Sequence, residues 1–234
     1  MRRTNSCNPE PSRWNDRTQE SAEVAYLIDD DNAVREALTG FLHASGVEVI
    51  SFGSAADYLK HQRTDASACL ILDLRLPDIS GLELQRKLTG GWGPPIIFIS
   101  GRGDIRSTVQ AMKAGAIEFL TKPINPEALV ATVTAAFERD RLDREKRADI
   151  DALQKRFSLL SPREREVLPL VVRGLLNKQS AAALGITEVT LQIHRSRIMQ
   201  KMLADSFADL VRMAEKLRTT GCDNVSDRKS TRNS

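Results

Sequence analysis

Asp73 closes the apolar run Leu70-Ile71-Leu72, and the chain then turns through Pro77, Asp78, Ser80 and Gly81. A short apolar run bounded by turn formers reads as a buried parallel strand. A carboxylate at the carboxyl end of such a strand adds nothing to stability, but it lies where an open α/β sheet keeps its ligand crevice. A second apolar run, Val24-Ala25-Tyr26-Leu27-Ile28, ends in Asp29-Asp30-Asp31. Ser100 ends Ile96-Ile97-Phe98-Ile99, and Lys122 follows the run Ile117 to Leu120. With these strands side by side, Asp29, Asp30, Asp73, Ser100 and Lys122 meet at one sheet edge. Carboxylates that close repel and raise one another's pKa values. Mg²⁺, which takes carboxylates, waters and phosphate oxygens, removes the conflict. Asp73 is then a nucleophile toward a phosphoryl group, giving an aspartyl-phosphate. Lys122 would pair with one phosphoryl oxygen and Ser100 would hydrogen-bond another.

The elements that must position these groups are legible in the pattern. Strands are expected at Val24 to Ile28, Val47 to Phe52, Ala68 to Asp73, Ile96 to Ser100 and Ile117 to Leu120. Helices are expected between them: one capped near Asp31 or Asn32, one from Ser54, one opened by Ser80 and Glu83, one over Asp104 to Ala114, and one capped by Asn125. Strand and helix in alternation mean a parallel sheet covered on both faces.

From 138 to 157 both charge signs crowd together, which reads as a charged helical linker, with a short coiled coil as the alternative. Ser161-Pro162-Arg163-Glu164 is a strong helix start. Helices are expected at about Arg163 to Arg173, Lys178 to Ala183, Glu188 to Met202 and Phe207 to Leu217, with no strand signal, so this part is a small all-helical domain. Gly185 permits a tight turn, Ile186 plugs the angle it makes, and Thr187 caps the helix from Glu188. Val189, Ile193 and Met199, or nearby apolar residues, are expected on that helix's inner side. Thr190, Gln192, His194, Arg195, Arg197 and Lys201 are left to face a major groove.

The 234-residue chain is 41% hydrophobic and 28% charged, which fits a folded protein of two small domains. No apolar run approaches the length of a membrane helix, and Met1 to Glu20 lacks the apolar core of a secretory signal. The three cysteines, Cys7, Cys69 and Cys222, are far apart and fit a reducing cytoplasm, so a cytoplasmic protein without membrane contact is expected. Charge is uneven: Ser21 to Phe137 has ten Lys and Arg against fourteen Asp and Glu, whereas Ser158 to Arg218 has ten against six. An acidic half and a basic half imply different partners, nucleic acid for the second. The expected layout is an extension at 1–21, an α/β domain at 22–137, the linker at 138–157, the helical domain at 158–218 and a polar tail at 219–234.

Ile28-Asp29-Asp30-Asp31, Leu72-Asp73-Leu74-Arg75-Leu76-Pro77, Ile99-Ser100-Gly101 and Leu120-Thr121-Lys122-Pro123 occur in the order and at the spacing of two-component receiver domains. The helical segment, through Leu160 to Leu168, Gly174 to Lys178, Ala182 to Ile186 and Thr190 to Arg195, resembles the LuxR-type helix-turn-helix of the NarL/FixJ response regulators, with the motif spanning Leu176 to Arg195. The resemblance implies a five-stranded, doubly wound, flavodoxin-like receiver and a four-helix DNA-binding domain. It implies that Asp73 is the phosphoacceptor and that Asp29, Asp30, Asp73 and the backbone carbonyl of Arg75 hold Mg²⁺. Ser100 and Phe119 match the switch positions, Lys122 matches the lysine, and the Lys122-Pro123 bond is expected to be cis. Lys178, Thr187, Thr190, Gln192, His194, Arg195, Arg197 and Lys201 are the implied DNA contacts.

The implied partners are a sensor histidine kinase, promoter DNA, RNA polymerase and, on phosphorylation, a second copy of the chain. Pairing is expected through the face formed by the helix after Ser100 and the last strand. The implied role is a transcription regulator, an activator, of nitrogen-fixation or nodulation type, and not an enzyme beyond its own phosphorylation and dephosphorylation. Two other readings stand beside it: a phosphorylation-independent DNA-binding regulator, and a covalent-aspartate phosphatase. The phosphatase would carry a second acid two residues after its nucleophile, where this chain has Arg75. Two residues depart from the family pattern: Ser180 stands at a usually apolar position, and Pro169 falls within a helix, where it removes a backbone donor.

Overall fold

The computed structural model describes residues 23–89, 93–101 and 105–219. The expected N-terminal extension and nearly all of the expected tail lie outside them, as does Asp104. The chain divides into two compact units, Met1–Leu142 and Asp143–Ser234.

In the first unit, β1 (Val24–Ile28), β2 (Glu48–Phe52), β3 (Ala68–Asp73), β4 (Ile96–Ser100) and β5 (Glu118–Thr121) form one parallel sheet in the order β2-β1-β3-β4-β5. The helices between and after them are α1 (Asn32–Ala44), α2 (Ala55–Lys60), α3 (Gly81–Thr89), α4 (Ile105–Lys113) and α5, which starts at Pro126 and ends at Ser158. Successive side chains of a strand point to opposite faces, and the core divides accordingly. Tyr26, Ile28, Leu70, Leu72 and Phe98 pack with Tyr58 of α2, Leu84 of α3 and Ala111 of α4. Ala25, Leu27, Ile71, Ile97 and Ile99 pack with Leu42 of α1 and with Leu129, Val133 and Phe137 of α5. The doubly wound architecture expected from the apolar runs is therefore present. The central strands β1, β3 and β4 are buried along their whole length, which is why they read as continuous apolar runs. Cys69 lies inside β3 as a free, buried thiol whose pKa burial pushes up.

No break separates the helix after β5 from the expected linker. α5 is a single helix of 33 residues, and after Pro126 it contains neither Gly nor Pro to stop it. Asp140, inside the charged stretch, is buried and accepts a hydrogen bond from the backbone N–H of Ala68 at 3.0 Å. Farther along the helix, Leu153 belongs to the core of the second unit.

That unit adds α6 (Pro162–Val172), α7 (Asn177–Leu184), α8 (Glu188–Met202) and α9 (Phe207–Thr219), which enclose Leu160, Val167, Leu168, Val171, Leu191, Ile198, Met202, Leu210 and Leu217. α6 runs on through the exposed Pro169 to Val172. Ser180 is wholly buried, and its hydroxyl finds no partner among the described residues. Among the described residues, no helix is long and apolar enough to cross a membrane.

Candidate functional site

Because every strand runs the same way, β1, β3 and β4 and the segment after β5 deliver their carboxyl-end residues to one edge. Asp29 follows β1 with no exposed surface, and its Oδ1 accepts the Asp31 N–H at 3.0 Å. Asp31 is the N-cap of α1, accepting from Ala33 N–H at 2.9 Å. Asp73 ends β3, and its Oδ1 accepts the Arg75 N–H at 2.9 Å, which fixes the carboxylate plane. The backbone N–H of Lys122 donates to the Ser100 carbonyl at 2.8 Å. From there its ammonium reaches Asp29 Oδ2 at 2.5 Å and Asp73 Oδ2 at 2.6 Å. The Lys122-Pro123 bond is cis.

A pocket beside this trio is lined by Asp30, Asp73, Arg75, Ser100 and Gly101. One carboxylate oxygen from each of Asp29, Asp30 and Asp73 lies within 4.8 Å of the others. One ammonium against three carboxylates leaves excess negative charge around oxygen ligands, a donor set that suits a hard divalent cation such as Mg²⁺. Phe119, in β5, packs its ring against Phe98 with centroids 6.3 Å apart, half-buried at the rim of the core.

In the second unit, Gly185 adopts φ 64°, a left-handed conformation that ends α7, and the Ile186 N–H returns to the Ala181 carbonyl at 3.0 Å. Ile186 packs against the helical core, as its place in the turn predicts. Thr187 caps α8, its Oγ1 accepting the Thr190 N–H at 3.1 Å. Helix, tight turn and capped helix make a helix-turn-helix.

Two family matches cover these two units. Residues 25–134 match the response regulator receiver domain, and residues 158–214 match the bacterial regulatory proteins of the luxR family. The chain is 47% identical over 195 residues to nodulation protein W of Bradyrhizobium diazoefficiens, covering 83% of this chain and 86% of that protein. It is 46% identical over 198 residues to response regulator protein TodT of Pseudomonas putida, covering 84% of this chain and 87% of that protein. The chain belongs to the NarL/FixJ family of two-component response regulators. The solved structure of response regulator StyR matches this regulator with a TM-score of 0.71 at 45% identity, covering 83% of this chain and all but 1% of that one (99%).

The electrostatics of the regulator's receiver site follow from burial. Desolvation drives the Asp29 carboxyl above the ordinary aspartate value, against the opposing hydrogen bonds from Lys122 and the Asp31 N–H. For Lys122, burial acts to lower the pKa, but the hydrogen bonds to Asp29 and Asp73 outweigh it and raise the ammonium above its ordinary value. The Lys122 ammonium therefore stays charged at neutral pH, between the side-chain oxygens of Asp29 and Asp73.

Three residues that build this edge had no chemical signature in the sequence. Arg35 of α1 donates to the Asp29 carbonyl at 2.7 Å and to Asn32 Oδ1 at 2.7 Å, bracing the acidic loop. An arginine on an amphipathic helix otherwise reads as a solvated side chain. Asp78 accepts from Ala56 N–H at 2.8 Å, tying the turn after Asp73 to the start of α2, where the sequence suggests only a turn residue. A Cβ on Gly81 would lie 2.5 Å from the Asp73 carbonyl oxygen, so only glycine lets α3 begin this close to the end of β3.

The expected DNA-contact residues fall into two groups. Lys178, Thr187, Gln192 and Arg197 are exposed. Thr190, His194, Arg195 and Lys201 are partly covered. The Thr190 hydroxyl lies 2.8 Å from that of Thr187. Arg195 donates to Asn177 Oδ1 at 2.6 Å and lies over the Phe207 ring, 5.4 Å from its centroid. Lys201 donates to Glu164 Oε2 at 2.7 Å. The inner side of α8 differs from expectation at two positions: Leu191, Ile198 and Met202 are its buried residues and Met199 packs against the same core as expected, whereas Val189 is 67% and Ile193 48% exposed. The buried positions are spaced seven and four residues apart, one helical stripe, and Val189 and Ile193 lie off it.

Proposed function

We propose that this regulator is phosphorylated on Asp73 by a sensor histidine kinase, pairs with a second copy and binds promoter DNA through α8. The observation that carries the reading is the Asp29–Lys122–Asp73 cluster beside an open pocket. An Asp73 oxygen attacks the phosphorus of the kinase phosphohistidine; the O–P bond forms as the N–P bond breaks, and the departing nitrogen keeps the electron pair. Asp29, Asp30, Asp73 and the Arg75 carbonyl are the proposed Mg²⁺ ligands, and the ion, when bound, offsets phosphoryl charge. Lys122 pairs with one phosphoryl oxygen and Ser100 with another; movement of Ser100 and Phe119 is the proposed switch.

Ile105, Val109 and Met112 support pairing through α4. They recur at helical spacing and are 82%, 44% and 40% exposed. The protein is proposed to act in the cytoplasm as an activator that engages RNA polymerase. Its regulon is proposed to be of nodulation or nitrogen-fixation type, after the likeness to nodulation protein W. Its own acyl-phosphate formation and hydrolysis are its only proposed catalysis.

Acetyl phosphate with Mg²⁺ should label the protein with one hydroxylamine-labile phosphoryl group and double its mass in sedimentation. Asp73→Asn should abolish both responses. Persistence of labelling and mass change in that variant would refute the assignment of Asp73.

A further inference from the structure

Asp29 is held at four points. Its N–H donates to the Phe52 carbonyl at 3.2 Å, its Oδ1 accepts the Asp31 N–H at 3.0 Å, and its Oδ2 accepts from Lys122 at 2.5 Å. The fourth point is its carbonyl oxygen, which accepts from Arg35 Nη1 at 2.7 Å. Arg35 is half-buried and is itself held. Its Nη2 donates to Asn32 Oδ1 at 2.7 Å, and Asn32 Nδ2 donates in turn to Glu36 Oε1 at 2.6 Å. A Cβ added at Gly53, just past β2, would lie 3.6 Å from Nη1, so the guanidinium is seated against the chain there. Three side chains from the start of α1 thus converge on one backbone carbonyl.

That carbonyl belongs to the peptide leading to Asp30. A peptide unit is planar, so holding the Asp29 oxygen fixes the plane from which Asp30 departs. Asp30 is exposed and lines the pocket with Asp73 and Arg75. One of its carboxylate oxygens lies within 4.8 Å of those of Asp29 and Asp73. Mg²⁺ demands near-ideal octahedral geometry, so its affinity depends on where each oxygen is set. Guanidinium geometry suits the task, because its rigid fork spans two acceptors, whereas an ammonium is a compact point charge. We infer that Arg35 is a positioning residue for the divalent-cation site, holding the Asp29–Asp30 peptide so that the Asp30 carboxylate is set for the ion. The inference rests on the Mg²⁺ site proposed above and adds a group outside that site which tunes its affinity. Position and charge act in opposite directions here: a fixed cation nearby repels Mg²⁺, whereas a fixed ligand strengthens its binding.

Amide ¹H–¹⁵N spectra of the full-length protein, recorded through a Mg²⁺ titration, measure the affinity. Arg35→Lys keeps the charge and loses the fork; Arg35→Gln loses both. Each should bind Mg²⁺ about tenfold more weakly than the wild type, the scale of losing a group that orients a metal ligand. If charge were the only influence, Arg35→Lys would match the wild type and Arg35→Gln would bind more tightly; either result overturns the inference. Labelling with acetyl phosphate separates positioning from damage to the fold. At low Mg²⁺ the Arg35→Lys protein should label more slowly than the wild type, and the deficit should close as Mg²⁺ approaches saturation. A deficit that persists at saturation would count against positioning and overturn the inference. Asn32→Ala takes away the bond that orients the guanidinium, leaves Arg35 in place, and should weaken Mg²⁺ binding by a smaller factor. If circular dichroism shows that neither Arg35 variant folds, Asn32→Ala decides, and unchanged Mg²⁺ affinity there overturns the inference. Absence of saturable shifts at Asp29, Asp30 and Asp73 in the wild type would overturn the Mg²⁺ reading, and this inference with it.

Discussion

Lys122 joins the side chains of Asp29 and Asp73, donating to one oxygen of each. Asp29 is completely buried, and its carboxyl already stands above its ordinary pKa because of desolvation, even with the ammonium 2.5 Å away. Removing the cation leaves buried charge without compensation. Lys122→Met should therefore destabilise the receiver at neutral pH by about 2–3 kcal/mol, less than the usual cost of breaking a fully buried pair because the Lys122 side chain is 21% exposed. The pH dependence has a definite sign. A carboxyl whose folded pKa is raised favours folding when protonated, and that contribution is lost as pH rises through the folded value. In the variant, acidification should thus recover part of the lost stability. Urea denaturation at pH 7 and pH 5 checks this; a deficit that grows on acidification would contradict it. At this scale the acids, Ser100 and Lys122 were legible because apolar strands ending in polar groups are conspicuous. Arg35 and Gly81 were not, since their roles depend on a carbonyl brought near by a different element.

At the scale of elements, the start of α6 shows what local pattern can and cannot say. The capping box of Ser161 and Glu164 was readable from four adjacent residues. The structure has both of its bonds, Glu164 N–H to Ser161 Oγ at 3.3 Å and Ser161 N–H to Glu164 Oε2 at 2.8 Å. The same Oε2 also receives Lys201 of α8, 37 residues away, so the cap locks one helix to another. Burial acts to raise the Glu164 pKa, but the hydrogen bonds from Lys201 and Ser161 outweigh it and hold the carboxyl below its ordinary value. A depressed carboxylate contributes stability that is present above its unfolded pKa and lost as pH falls through the folded one. Glu164→Gln should cost about 1–2 kcal/mol at neutral pH, because Lys201 can still reach water, and should flatten the acid limb of the helical unit's stability. Melting temperatures between pH 7 and pH 3 test this; parallel acid limbs in both proteins would contradict it. Lys201 was expected on the DNA side of α8, and its engagement with Glu164 came from no local signal.

On the scale of the whole molecule, the charge asymmetry makes a prediction of its own. Ser21 to Phe137 has four more acidic than basic residues, and Ser158 to Arg218 has four more basic than acidic ones. If the basic segment contacts phosphates, the logarithm of the DNA association constant should fall linearly with the logarithm of salt, by about 0.9 per phosphate contact. Arg197→Ala should weaken binding to all duplexes and lower that slope by about one unit. Fluorescence anisotropy titrations across a salt series measure both; an unchanged slope would show that Arg197 meets no phosphate.

What the amino-acid order determined alone was the alternation of strands and helices and the acids at the strands' carboxyl ends. Buried parallel strands must be apolar throughout, so their ends are marked and their chemistry stands out. Only the tertiary structure decided which side of α8 is free. That helix carries aliphatic residues at 189, 191, 193, 198, 199 and 202, too many directions for periodicity to choose among. Packing with the rest of the helical core buried Leu191, Ile198 and Met202, and so turned Val189 and Ile193 outward. Burial is a property of pairs of distant elements, and no window along the chain contains both.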